Sequence, residues 1–82
     1  MKKYRKRPVV VEAMRLLPNN TDEAIEFLKD FLVKFTDDGA LVETLEGLML
    51  VKWGNYIIKG IAGEFYPCDA EIFQQTYEEV RE

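Results

Sequence analysis

The glycines constrain this chain more than any other residue type. All five lie between residues 39 and 63, and they divide that stretch into segments too short for ordinary helices. Glycine enters left-handed backbone without steric penalty, so each marks a place where the chain can reverse. Asp37-Asp38-Gly39 reads as a turn. Leu41–Leu45 and Leu48–Trp53 read as strands joined at Glu46-Gly47, with the glycine in the second turn position. Tyr56–Lys59 and Glu64–Tyr66 flank Gly60-Ile61-Ala62-Gly63 and read as a second hairpin. Gly54-Asn55 links the two hairpins, and both residue types tolerate the backbone of a sharp turn.

The flanks follow other patterns. Arg7 to Leu16 reads as a strand, because Val9, Val10 and Val11 are β-branched and suit a pleated surface. Pro8 lacks a donor, which places it at the strand start or on an edge. Pro18-Asn19-Asn20 ends that strand. Asn20 or Thr21 caps a helix, and Glu23 stands three residues after Asn20 in a box-like arrangement. Ile25, Leu28, Phe31 and Leu32 fall at helical spacing, with Phe27 widening the stripe, and the helix is predicted to stop near Lys34. Asp69 caps a short final helix to Tyr77, with Ile72, Phe73 and Tyr77 as its apolar stripe. The order is β-α-β-β-β-β-α. It predicts one α+β domain over residues 1–82, a mostly antiparallel sheet of about five strands with one main helix and a short C-terminal helix packed on it. No internal repeat, linker or low-complexity segment breaks the chain.

A chain of 82 residues buries only a modest share of its surface, about 60–65%. Cys68 is the lone cysteine, so no internal disulfide can reinforce the core, and the chain suits a reducing cytoplasm. Self-association into a homodimer or higher homo-oligomer is the remaining source of stability. No apolar stretch approaches the roughly 18 residues of a membrane span. The basic start followed by Val9-Val10-Val11 is too short for a signal peptide.

Charge is segregated. Lys2, Lys3, Arg5, Lys6 and Arg7 supply five of eleven basic residues, whereas all fifteen acids follow Pro8. From Pro8 onward six basic residues face those fifteen acids, a net charge of −9. Such a body repels a phosphate backbone, which argues against general nucleic-acid binding except through the N-terminal arm.

Several chemistries are missing. The chain has no histidine and no serine, which removes the usual general base near neutral pH and the serine and Cys-His nucleophiles. One cysteine cannot build a Cys/His zinc site. Neither a phosphate-binding P-loop nor a dinucleotide glycine fingerprint occurs. The chain therefore carries no catalytic residues, metal ligands or cofactor in this reading. Glu43, Glu46, Glu64, Asp69 and Glu71 remain as carboxylates for acid/base or Mg²⁺ chemistry. Surface placement and helix capping are their plainer roles. Cys68 precedes a helix start, a position that can lower a thiol pKa, although a buried inert cysteine is commoner.

The densest amphipathic segment runs from residue 52 to 68. Trp53, Tyr56 and Tyr66 combine flat apolar area with polar handles, and Lys52 and Lys59 stand beside them. Together with Asn55 and Glu64 they form the candidate ligand- or partner-binding set. Aromatic faces next to lysines suit a nucleobase with phosphate or the hot spot of a protein partner. Packing against a helix accounts for the same aromatics without any ligand.

The sequence also resembles a group of short bacteriophage and prophage proteins. The matching pieces are Tyr4 through Ala13, Glu43 through Gly47, Gly54-Asn55-Tyr56-Ile57-Ile58-Lys59-Gly60, and Gly63-Glu64-Phe65-Tyr66-Pro67-Cys68, closed by Ile72-Phe73 and Thr76-Tyr77. In that group the central piece reads Pro-Gly-Asp followed by an aromatic. Here Trp53 stands for the proline and Asn55 for the aspartate. The resemblance implies a phage accessory protein in the host cytoplasm, binding a host factor stoichiometrically, plausibly one of a defence system. Its ligand is then a host protein, blocked by the acidic body, or a small nucleotide held by Trp53, Tyr56 and Tyr66. The alternatives are a nucleic-acid-binding regulator using Lys2–Arg7 and a carboxylate- and Mg²⁺-dependent hydrolase.

Overall fold

The computed structural model describes residues 1–81. It shows an α+β architecture of six strands and two helices, all strand pairs antiparallel. The elements are β1 (Glu12–Arg15), α1 (Thr21–Leu28), β2 (Leu32–Thr36), β3 (Gly39–Thr44), β4 (Gly47–Lys52), β5 (Tyr56–Lys59), β6 (Phe65–Cys68) and α2 (Ala70–Thr76), with a 3-10 turn over Lys29–Phe31. The strands form two sheets rather than one, ordered β1-β5-β6 and β2-β3-β4.

The extra strand arises where a helix was expected to continue. Helix α1 stops at Leu28, because Lys29 adopts φ 50°, the only positive φ at a described non-glycine residue. A residue there leaves the right-handed helical path. The chain then extends, and Leu32 pairs with Val42 instead of completing a helical stripe. Ile25 is correspondingly 48% exposed, while Ala24 and Leu28 are buried.

Strand β1 is also shorter than its β-branched residues suggest. Residues 1–11 form no regular element and are exposed apart from Val11. The register explains this: Glu12 pairs with Lys59, the last residue of β5. Beyond it the partner strand turns away at Gly60, so Val9–Val11 have nothing to pair with. The radius of gyration is 13.6 Å, somewhat above the about 12 Å of a compact chain this long.

Both tight turns of the second sheet use the same pattern, Thr36-Asp37-Asp38-Gly39 and Thr44-Leu45-Glu46-Gly47. In each the threonine hydroxyl accepts from the third residue's N–H and donates to the glycine carbonyl. Gly47 follows the two turn residues with φ 96°, while Leu45 and Glu46 keep negative φ. The turn is therefore one residue earlier than expected, with Leu45 and Glu46 between the paired Thr44 and Gly47, and the left-handed backbone falls on the residue after the turn rather than within it.

The core lies between the sheets. Met14 and Leu16 of the β1 segment, Ala24 and Leu28 of α1, Ala40, Val42 and Val51 of the second sheet, and Ile57 and Phe65 of the first form one buried cluster. Phe27 meets Phe65 edge-on at 5.2 Å between centroids. Ile58 is equally buried yet stands outside that cluster. Successive residues of a strand face opposite sides, so Ile58 lies on the far face of the first sheet with Tyr56 and its partner Tyr66. Helix α2 covers that face through Phe73 and Tyr77. The two helices thus pack on opposite sides of the first sheet. Among the described residues no helix is long and apolar enough to cross a membrane.

Candidate functional site

The segment from 52 to 68 does not fold into one pocket. Its aromatic residues divide between the two faces of the fold, and each is engaged by a neighbour.

Trp53 follows β4 and closes the second sheet. Its ring stacks on Phe35 at 6.2 Å and 13°. Its Nε1–H donates to the Asp37 carbonyl at 2.9 Å, and its backbone N–H to the Asp38 carbonyl at 3.0 Å. The indole therefore clamps the β2–β3 turn. Lys52, one residue earlier, is exposed and pairs with Gly39 across the ladder.

Gly54 and Asn55 form the junction between the sheets. The Gly54 N–H donates to the Leu16 carbonyl, and the Leu16 N–H donates to the Asn55 carbonyl. The Asn55 side-chain oxygen accepts from the Ala70 N–H at 3.1 Å, which joins the start of β5 to the start of α2. An aspartate would accept the same bond, so exchanging one for the other preserves this contact.

Tyr56 opens a column of rings on the outer face. It stacks on Phe73 at 3.8 Å, and Phe73 stacks on Tyr77 at 4.9 Å. The Arg15 guanidinium lies 5.8 Å from the Tyr56 centroid, while its Nε donates to the Gly54 carbonyl at 2.8 Å. Arg15, Phe73 and Tyr77 complete this cluster, and Arg15 had no signal beyond its place in a strand. Ile72, expected beside Phe73, is 57% exposed instead.

Tyr66 neighbours the same column through Tyr77. Burial, then a hydrogen bond and charge repulsion with Tyr77, then the charges of Glu64 and Cys68, push its phenol up to about 12. The Cys68 thiol is raised as well, by burial first and Asp69 second. The helix start beside Cys68 thus does not yield an activated thiolate. Asp69 instead serves α2, its carboxylate accepting from the Glu71 and Ile72 N–H groups.

Lys59 lies 5.9 Å from the Phe65 ring centroid, on the core side of the first sheet. The Glu64 carboxylate accepts from the Ala62 N–H at 3.2 Å and bounds the β5–β6 turn at Gly60. Glu64 and Tyr66 also line an open depression of about 380 Å³, together with Glu46, Leu45 and Met49 of the β3–β4 hairpin. A second depression of similar volume lies between Val10–Glu12 and the β5–β6 turn. Neither is lined by Trp53 or Tyr56. Glu43 is exposed on β3 and lines neither. Among the described residues no three His, Cys, Asp or Glu side chains converge as a metal site.

Comparison with protein-family models, with curated proteins and with solved structures gives no match.

Proposed function

We propose that this protein acts by stoichiometric binding, as a phage or prophage accessory protein that covers a basic surface of a host protein in the host cytoplasm. The observation that carries this reading is a surface of carboxylates without cations of their own. Asp22, Glu23, Glu26 and Asp30 on and after α1, and Asp37 and Asp38 in the β2–β3 turn, are all exposed. Among the described residues the one ion pair is Arg81 with Glu79, at the C-terminal end. Unpaired carboxylates in this density repel phosphate and attract a basic protein surface. The resemblance of Gly54–Cys68 to small phage proteins makes a host factor the natural partner. Sequestration of a nucleotide is less well supported, because the rings of Trp53 and Tyr56 already face Phe35 and Phe73.

The test is affinity capture from host lysate, with mass spectrometry reading proteins and small molecules. A basic protein that elutes as salt is raised, and that is lost with Asp22→Lys and Glu26→Lys, supports the reading. A captured nucleotide, or a partner indifferent to both salt and charge reversal, overturns it.

A further inference from the structure

The N-terminal arm and β1 together present an open sheet edge. In the order β1-β5-β6, β1 has a neighbour on one side only. Antiparallel ladders bond through alternate residues. The Leu16 N–H points at β5, where it meets the Asn55 carbonyl. By alternation Met14 and Glu12 turn their backbone the same way and Ala13 turns its to the open edge; an arm extended as a continuation of β1 turns Val10 and Pro8 toward the β5 side and Val11 and Val9 to the open edge.

Three features fit this edge to a partner strand. Pro8, which has no N–H, falls in that extension at a position whose nitrogen faces away from the open side, so it removes nothing from a ladder there. Val9-Val10-Val11 is a β-branched run with no intramolecular partner, and Val10 is 75% exposed. The edge is also closed at its far end, where the Asn20 side-chain amide donates to the Arg15 carbonyl at 2.7 Å. The free stretch therefore runs from about Arg7 to Ala13, centred on Val10.

We infer that this edge pairs with the same edge of a second copy, antiparallel about a two-fold axis at Val10, joining two three-stranded sheets into one. Val9 then lies opposite Val11 of the second copy, and Arg7 opposite Ala13. Lys6 falls diagonal to Glu12 on the same face, within reach of a cross-strand ion pair. Charge complementarity selects a second copy as the occupant. No cation of residues 2–7 pairs with an acid of its own chain among the described residues. In this arrangement the arm runs antiparallel to β1 of the second copy; Arg5 reaches Arg15 just past the paired stretch, so the attraction is that of a basic arm for an acidic body of net charge −9, with Lys6 and Glu12 as its one cross-strand contact. The isologous pairing is the commonest form of oligomer symmetry.

Light scattering at micromolar concentration tests it, with twice the 9.6 kDa chain mass expected. Val9→Pro removes an N–H from the open edge at a residue outside every element, and should return the mass to that of the monomer. In a Cys68→Ala background, Val10→Cys should form an interchain disulfide under mild oxidation, whereas Ile61→Cys, 80% exposed, should not. A monomeric wild type, a dimer that survives Val9→Pro, or equal cross-linking at both cysteines overturns the inference.

Discussion

The Trp53 indole donates to the Asp37 carbonyl at 2.9 Å, across sixteen positions of sequence, and so locks the β2–β3 turn to the end of β4. A residue that reads as a binding aromatic is thereby a fastening of the fold. Trp53→Ala removes both the Phe35 stack and this bond, and should cost about 3 kcal/mol, the lower end for truncating a large aromatic, since Trp53 is half-buried. Trp53→Phe keeps the stack and should cost about 1 kcal/mol, the value of one hydrogen bond. Urea unfolding followed by circular dichroism separates the two.

Asn55 divides its side chain and backbone between α2 and the end of β1. Asn55→Ala leaves the Ala70 N–H without its acceptor and should lower stability by about 1–2 kcal/mol. Asn55→Asp keeps an acceptor oxygen and should be close to neutral. Parallel denaturant titrations of both variants check the difference.

The two Thr-x-acid-Gly turns are unequal in one respect. A Cβ on Gly39 would overlap the Val51 carbonyl, whereas nothing lies within 4 Å of a Cβ on Gly47. Gly47→Ala should cost only its left-handed backbone, about 1–2 kcal/mol. Gly39→Ala must displace main chain and should exceed the about 1–3 kcal/mol of ordinary overpacking. Thermal unfolding of the pair ranks them directly.

Tyr66 titrates later in the folded chain than in the unfolded one. Its folded value is raised to about 12 from an ordinary 10, by burial first. Above pH 10 the unfolded chain loses this proton while the folded chain keeps it, so unfolding is favoured. Stability should be complete below pH 10 and fall as pH rises toward 12. Tyr66→Phe should flatten this part of the stability profile, as read by denaturant midpoints across alkaline pH.

Much of the fold was legible because turn chemistry is local. Asp69 caps α2 as its position before an apolar stripe implies, and β5 spans Tyr56–Lys59 as read. Asn20 does precede α1, but its side chain bonds backward, accepting from the Leu17 N–H and donating to the Arg15 carbonyl, so no capping box forms. The end of α1 was not legible, since Leu28, Phe31 and Leu32 satisfy a helical stripe as well as a turn into a strand. What decides it is the backbone of Lys29, and lysine carries no preference for positive φ. The candidate residues are dispersed for a related reason. Trp53 and Tyr56 are three residues apart, yet the Gly54-Asn55 junction passes the chain from one sheet to the other between them.

Ile57 and Ile58 are adjacent in β5, and both are buried, one toward each layer. A slip of one residue ordinarily exposes a strand's apolar set and is rejected for that reason. In β5 a slip in either direction exchanges one isoleucine for the other but offers the second buried site Tyr56 or Lys59, so burial rejects the error through one site instead of two. Fidelity of alignment is shared with the mouth of the strand, where Asn55 meets Leu16 and Ala70. The polar junction and the two unlike ends of the isoleucine pair together fix the placement of the central strand.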